Sequence, residues 1–310
     1  MIFCICLNPA VDMTCRMEHP FKAGGVNRLT EMMPFAGGKG VNVARFLRQF
    51  GADVCVSGFL GGANGKVIEG VLEAEGAECS FTMVRGNTRC NRNIIDSSGS
   101  VTEILEGGPF VGPDQILNFM ESFQDKLDEA ELLIISGSVP QSVPSDIYAT
   151  MLKIASAKKV PAIIDTAGDS LRAAMSECPM MIKPNLSEFN AYLGKDISGR
   201  DDAIKAMDDL IYEKKASSVM LSRGKDGIIY SNREIRICAE GIKLNAVNTV
   251  SCGDAAVAGY AYSYIRGADI KECVSRALLW SASAALKEES GQLDMAFIRE
   301  NEKNINLYTV

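Results

Sequence analysis

Short apolar or β-branched runs alternate along this chain with stretches whose apolar residues recur at helical spacing. "MIFCICL" reads as a strand, "KGVNVARFLRQFG" as a helix, "DVCVSGFLGG" as a strand and "GKVIEGVLEAEG" as a helix. The rhythm resumes with "DQILNFMESFQDKLDEA", "ELLIISGSVP", "PSDIYATMLKIASAKK", "VPAIIDTAG", "MMIKPN", "LSEFNAYLG", "DDAIKAMDDLIYEKKA", "SSVMLSRG" and "KDGIIYSNREIRICAE". Such alternation predicts an α/β fold: a mostly parallel sheet with helices on both faces. Strand-like runs end in polar turns carrying Gly or Pro, at Asn8-Pro9, Ser136-Gly137-Ser138, Asp165-Thr166, Lys183-Pro184-Asn185 and Ser222-Arg223-Gly224. Ligands of open parallel sheets bind beyond the carboxyl ends of the strands, so these turns are expected on one rim.

Two stretches break the rhythm. Residues 13–35 and 88–105 look like short strands joined by turns, without a helix, and predict a small β excursion that could serve as a lid. No repeat, low-complexity tract or linker divides the chain, so residues 1–310 are expected to form a single domain.

Composition narrows the function classes. With 47% apolar and 23% charged residues the chain is ordinary for a globular protein, and no apolar run is long enough to cross a bilayer. The N-terminal stretch lacks a basic segment and a small-residue cleavage site, so cytoplasmic residence without membrane contact is the expectation. A net charge of −7 argues against a nucleic-acid partner, which needs many cations against phosphates. The ten cysteines include no CxxC pair, and His19 is the only histidine, which argues against histidine-based triads and zinc sites.

Candidate chemistry collects in four places. "AGGKGVNVARFL" sets Gly37, Gly38 and Gly40 around Lys39 at a helix start, where backbone can approach a ligand and amides favour an anion. It is no Walker A loop, because Met33 and Gly40 stand where that motif needs Gly and Ser or Thr. A GxGxxG turn after the first strand is also missing, which disfavours a nicotinamide oxidoreductase. "NTVSCGDAAVAGY" runs a polar turn, Ser251 to Asp254, into a helix with no polar face at Ala255 to Ala258. Asp254 is then either a helix cap or a reactive carboxylate held where buried amides can stabilise developing charge. "IKPNLSEF" offers Lys183, Asn185 and Glu188, with Asn185 and Glu188 at the spacing of a capping box. "SRGKDG", residues 222–227, fits a tight turn between strands.

In their order along the chain, "NPAVD", "AGGKGVNVA", "ISGSVP", "KPNLSEF" and "NTVSCGDAAVAG" resemble the PfkB (ribokinase-like) carbohydrate kinase family over essentially all 310 residues. The resemblance implies a ribokinase-like three-layer α/β/α sandwich with a β-sheet lid. It implies Asp254 as general base on a sugar hydroxyl, with the amides of Cys252, Gly253 and Asp254 as an anion hole for the transferring phosphoryl group. Asp12, Gly38 and Asn42, with Ser138 of "ISGSVP", would hold the sugar, and Lys39 would be a phosphate or charge partner. Lys183, Asn185, Ser222, Gly224, Gly227 and Ser251 would line the ATP site. Glu188 and Asn185 would organise Mg²⁺ through water, with Asp165 as a further metal candidate.

"GGVNR", "TRCNRNI", "EILEGGP" and "DTAGDSLR" resemble the branch of the family that phosphorylates ketohexose phosphates, 1-phosphofructokinase and tagatose-6-phosphate kinase. An acceptor that already carries phosphate needs extra cations, and Arg28, Arg89 and Arg92 stand in the lid stretches, with Arg89 the first choice as a bidentate clamp. The implied partners are ATP, a sugar phosphate and a second copy of the chain docked through the lid. Other acceptors (fructose-6-phosphate, an unphosphorylated sugar or a nucleoside) remain alternatives. So does a non-catalytic sugar-phosphate binder, because Ser251-Cys252 stands where the family usually has Gly-Ala or Gly-Ser.

Overall fold

The computed structural model describes residues 1–310. Strands in chain order are β1 (Ile2–Cys6), β2 (Ala10–Met17), β3 (Leu29–Gly37), β4 (Val54–Leu60), β5 (Glu78–Cys79), β6 (Thr82–Met83), β7 (Arg89–Ile95) and β8 (Val101–Ile104). They continue with β9 (Leu132–Ser136), β10 (Ala162–Asp165), β11 (Met181–Ile182), β12 (Ser218–Ser222), β13 (Ile228–Asn232), β14 (Arg236–Ala239) and β15 (Leu307–Thr309). The main sheet runs β15-β14-β13-β12-β11-β10-β9-β1-β4-β5, with β6 also on β4. It is parallel from β5 to β12 and antiparallel beyond.

The alternation of side chains along each strand builds the layers. Ile2, Cys4 and Cys6 of β1 join Val54, Val56 and Ile134 in one core, under the helices Lys39–Arg48, Cys252–Tyr264 and Ile270–Ala284. Phe3 and Ile5 join Leu133, Ile135 and Ile164 in the opposite core, under the helices Pro113–Leu127, Ile147–Ala157 and Arg200–Tyr212. This is the three-layer α/β/α sandwich that the resemblance implied.

A separate four-stranded sheet, ordered β3-β2-β7-β8, accounts for the break in rhythm. Its two halves are antiparallel pairs, and they join through parallel β2 and β7, with Ala10 opposite Arg89 and Asp12 opposite Asn91. The sequence placed this excursion at 13–35 and 88–105, whereas β2 already begins at Ala10 and β3 runs on to Gly37. Both extensions matter, because they deliver Asp12 and the glycine loop to the same spot. The C-terminal strand β15, which pairs with β14, has no counterpart in the sequence reading.

The turns do share a rim. Gly137 donates its N–H to Asp165 O (2.9 Å), Lys183 to Ile164 O (2.9 Å) and Ser222 to Pro184 O (3.1 Å), which locks consecutive strand ends side by side. The Cys252–Tyr264 helix points its N-terminus at this rim, and Asp254 through Ala261 are all buried. No helix is long and apolar enough to cross a membrane.

Candidate active site

Two glycines let the chain turn from β3 into the Lys39–Arg48 helix directly against the start of β2. Gly38 adopts φ +97°, in the left-handed region that disfavours a side chain, and an added Cβ would stand 3.0 Å from Cys6 Sγ and Pro9 Cα. A Cβ on Gly37 would overlap the Asp12 carboxylate outright. Asp12 is thereby enclosed, and it accepts a hydrogen bond from Asn91 Nδ2 at 2.9 Å. Burial pushes its carboxyl up, against the opposing pull of the Asn91 amide and the Arg89 charge.

One helical turn past Gly38, Asn42 donates from Nδ2 to Asp254 Oδ2 at 2.9 Å, across 212 residues of sequence. Both residues are buried. Burial first, and then the like charge of Asp165, raises the Asp254 carboxyl to about 7, while Lys39, Asn42 and Lys183 oppose the rise. A carboxylate poised near neutrality suits general base chemistry. Asp254 does not cap its own helix: that position belongs to Ser251, and no side chain caps there.

Ser251 resolves the question raised by the missing glycine. Its φ of −101° lies in ordinary L-residue space, so the turn needs no glycine there. The Ser251 hydroxyl accepts the Gly291 N–H at 3.4 Å, which ties the turn to the 291 segment and leaves the hydroxyl proton to donate elsewhere. Cys252 donates its thiol to Asn248 O at 3.8 Å, and burial together with the Asp254 charge pushes the thiol up to about 12. A neutral thiol of this kind is chemically quiet.

Lys39 Nζ lies 3.1 Å from Asp165 Oδ1 and 3.5 Å from Glu188 Oε1, and Lys183 Nζ lies 3.4 Å from Asp165 Oδ2. Gly253 packs on the same ammonium, since a Cβ built there would stand 3.2 Å from Lys183 Nζ. Thus the glycine loop, the ends of β10 and β11 and the turn before Asp254 meet through two lysines. Asn185 and Glu188 form a complete capping box: Glu188 N–H donates to Asn185 Oδ1 (2.8 Å) and Asn185 N–H to Glu188 Oε2 (2.9 Å). Ser222 pairs with Asn185 as an isolated bridge, and Gly224 and Gly227 bound the turn into β13.

The residues expected at the metal have different surroundings. No group of three His, Cys, Asp or Glu side chains could hold a metal. Asp165 faces two ammonium groups, and the Asn185 side-chain oxygen is spent on a helix cap. Glu188 has one oxygen in the same capping box and the other 3.5 Å from Lys39, and its side chain is 19% exposed.

The lid arginines also separate. Arg89 donates from Nε and Nη2 to Asn8 O (3.1 and 2.9 Å) and from Nη1 to Glu106 O (3.4 Å), which places it beside the Asp12 pocket. Arg92 pairs with Glu106 at 2.9 Å, half exposed. Arg28 stands exposed just before β3 and makes no hydrogen bond or ion pair.

Of three residues absent from the sequence-based list, two stand at the site and one braces the glycine loop from behind. Asn8 donates to Gly107 O (3.3 Å) and to the Ser138 hydroxyl (3.4 Å), and Asn91 holds Asp12. Asn8 Oδ1, Asn42 Oδ1 and Asn91 Oδ1 are all buried without a partner. Orphaned acceptors beside two buried carboxylates, Asn91 at Asp12 and Asn42 at Asp254, suit a ligand rich in hydroxyl groups. Arg45, the third, lies buried on the far side of the glycine loop, where it bonds Ala36 O, Ser290 O, Glu75 and Glu289. Asn8 and Asn91 stood inside the quoted motifs "NPAVD" and "TRCNRNI"; Arg45 carried no signal beyond its place on an apolar helix face.

A carboxyl raised to about 7 at a buried helix N-terminus, with two lysines beside it, is an arrangement suited to phosphoryl transfer to an alcohol group. Residues 5–296 match the family model described as "pfkB family carbohydrate kinase", and the chain belongs to that family. It is 31% identical over 291 residues to 1-phosphofructokinase of Bacillus subtilis (strain 168), covering 94% of each. It is 30% identical over 312 residues to tagatose-6-phosphate kinase of Staphylococcus epidermidis (strain ATCC 12228 / FDA PCI 1200), covering all of both. The crystal structure of phosphofructokinase-2 from Escherichia coli in complex with substrates and products shares the fold, with a TM-score of 0.88 at 24% identity over 96% of this chain and 97% of that one.

Proposed function

We propose that this kinase transfers the γ-phosphoryl group of MgATP to a hydroxyl of a ketohexose phosphate, fructose-1-phosphate or tagatose-6-phosphate, to give a 1,6-bisphosphate. The observation that carries this reading is a pair of buried carboxylates, Asp12 held by Asn91 and Asp254 held by Asn42, with the Oδ1 of each amide left without a protein partner and able to accept a sugar hydroxyl. The two curated relatives at 30–31% identity, named for those two acceptors, support it.

Asp254 takes the proton of the attacking hydroxyl as its oxygen bonds to the γ-phosphorus, and the bond from that phosphorus to the β–γ bridging oxygen breaks to release ADP. Asn42 holds the carboxylate for this step, and its orphaned Oδ1 can accept another hydroxyl of the same sugar. Amides of Cys252, Gly253 and Asp254 receive the charge that spreads over the transferring oxygens. Lys183, Ser222, Gly224 and Gly227 line the approach of the nucleotide. Mg²⁺, when bound, neutralises phosphate charge, and Glu188 would hold it through water. Arg89 meets the acceptor's phosphate, and Arg28 reaches it only if the four-stranded sheet closes as a lid over the sugar, which would also exclude water. The non-catalytic reading loses its motive, since Ser251 fits the turn with negative φ.

A second copy docked on this sheet is part of the same reading. Leu29, Met32, Val101 and Ile104 expose apolar surface on β3 and β8, which suits burial against a like surface. One solved relative, phosphofructokinase-2 from Escherichia coli, is described in a tetrameric inhibited form.

Coupled ADP release with fructose-1-phosphate, fructose-6-phosphate and tagatose-6-phosphate side by side tests the assignment. Highest kcat/KM with fructose-1-phosphate or tagatose-6-phosphate supports it. Preference for fructose-6-phosphate or a non-phosphorylated acceptor refutes it.

A further inference from the structure

We propose that Asp165 is a positioning residue, which holds Lys39 and Lys183 as a matched pair of cations at the mouth of the base until nucleotide phosphates take them over. This inference rests on the kinase reading above and assigns Asp165 a part in that site other than metal binding.

The geometry is that of a counter-ion shared between two lysines. The Asp165 side chain is wholly buried, Lys183 is 3% exposed and Lys39 is 38% exposed. Lys39 donates a good hydrogen bond to Oδ1 at 3.1 Å, whereas Lys183 stands 3.4 Å from Oδ2, within ion-pair range but off the line of a hydrogen bond. Lys183 is therefore held loosely, beside Gly253, where a small turn of its ammonium reaches a phosphoryl oxygen in front of the Cys252–Tyr264 helix. A buried ammonium without a counter-ion is costly, so Asp165 is what permits two cations at this spot before nucleotide arrives. Burial alone would raise the Asp165 carboxyl; the two ammonium groups outweigh it and hold Asp165 below the usual carboxylate range, ionised at neutral pH.

The same carboxylate faces the base. The charged and titratable groups around Asp254 are Cys6 from β1, Lys39 from the glycine-loop helix, Asp165 and Lys183 from the ends of β10 and β11, and Cys252 from its own turn. Among these, Asp165 is the main like charge raising Asp254, while Lys39 and Lys183 lower it. Removing the Asp165 charge thus also frees both cations to act on the base, and the two effects have the same sign.

The test is Asp165→Asn in the full chain. The expected result is a fall in kcat of about tenfold or more, without a rise in KM for MgATP, and with an unchanged Mg²⁺ half-saturation. The acid limb of the pH profile should move to lower pH, a shift that a purely structural defect would not produce. Calorimetric binding of ADP without Mg²⁺ should be at least as tight as in the wild type, since a negative charge facing the lysines is gone. A Mg²⁺ requirement raised about tenfold with an unmoved acid limb would make Asp165 a metal ligand and overturn the proposal. An unmoved limb with a uniform loss of activity, unchanged kinetics, or weaker metal-free ADP binding would overturn it equally. Should Asp165→Asn not fold, the charge-balanced Asp165→Asn/Lys183→Met pair carries the Mg²⁺ comparison: an unchanged half-saturation supports the proposal and a raised one refutes it. Wild-type protein that binds ADP but phosphorylates no ketohexose phosphate would refute the functional reading alone, because the ADP arm needs no acceptor.

Discussion

Asn42 and Asp254, 212 residues apart, share a buried hydrogen bond of 2.9 Å from Nδ2 to Oδ2. One residue comes from the glycine loop and the other from the turn that opens the Cys252–Tyr264 helix, so in the proposed function this contact would join the sugar side of the site to the phosphoryl side. It also explains why a buried carboxylate is tolerated there: one oxygen is satisfied by an amide that cannot take its proton.

A base at about 7 sets the pH dependence. Asp254 works when deprotonated, so kcat/KM should rise with pH through about 7 and then level off, as read in buffers of constant ionic strength. Asn42→Asp puts a second carboxylate beside the base, which should move that acid limb upward. A limb that stays in place in Asn42→Asp would mean that another group sets it.

The raised value also reaches into stability. Between the ordinary carboxylate range and about 7, folded Asp254 binds a proton that the unfolded chain has released, so this group makes stability fall as pH rises through that window. Asp254→Asn should remove this part of the slope, visible as a smaller change in Tm between acidic and neutral buffers.

Arg89 donates two hydrogen bonds to the Asn8 carbonyl and one to the Glu106 carbonyl, and its charge acts on the nearby Asp12 carboxyl. Arg89→Ala should raise KM for the sugar phosphate roughly 10- to 100-fold, the range for loss of a charge-assisted hydrogen bond, and leave KM for ATP within about threefold. Equal rises in both would remove Arg89 from the acceptor site.

Arg45 is a purely structural counterpart. Buried at 2% exposure, it ties Ala36 and Ser290 backbone to Glu75 and Glu289. Because its carboxylate partners are partly exposed, Arg45→Met should cost about 2–4 kcal/mol by denaturant unfolding, somewhat below the cost of breaking a fully buried pair. A loss below about 0.5 kcal/mol would place it among ordinary surface substitutions.

Much of this site could be read from the chain because its parts sit in local motifs. The glycines around Lys39, the apolar helix after Asp254 and the Asn185–Glu188 spacing each have a local physical signature, and parallel-sheet topology brings strand ends together. The rest depends on contacts between distant residues. Nothing near Asn91 indicates that its amide will meet Asp12 across a parallel pairing, nor anything near Asp165 that two lysines will surround it. Ser251 is a different case. A sequence does not reveal φ, and the glycine expected there proved unnecessary once the turn adopted a negative value.

The central claim is that Asp254 abstracts the proton of a sugar-phosphate hydroxyl. The most direct measurement is ADP formation from MgATP by wild type and Asp254→Asn, each saturated with fructose-1-phosphate and with tagatose-6-phosphate. The account predicts a folded variant that still binds ATP and has lost roughly 10²- to 10⁴-fold in kcat, the range for removal of a general base. Turnover within a few-fold of wild type would contradict it.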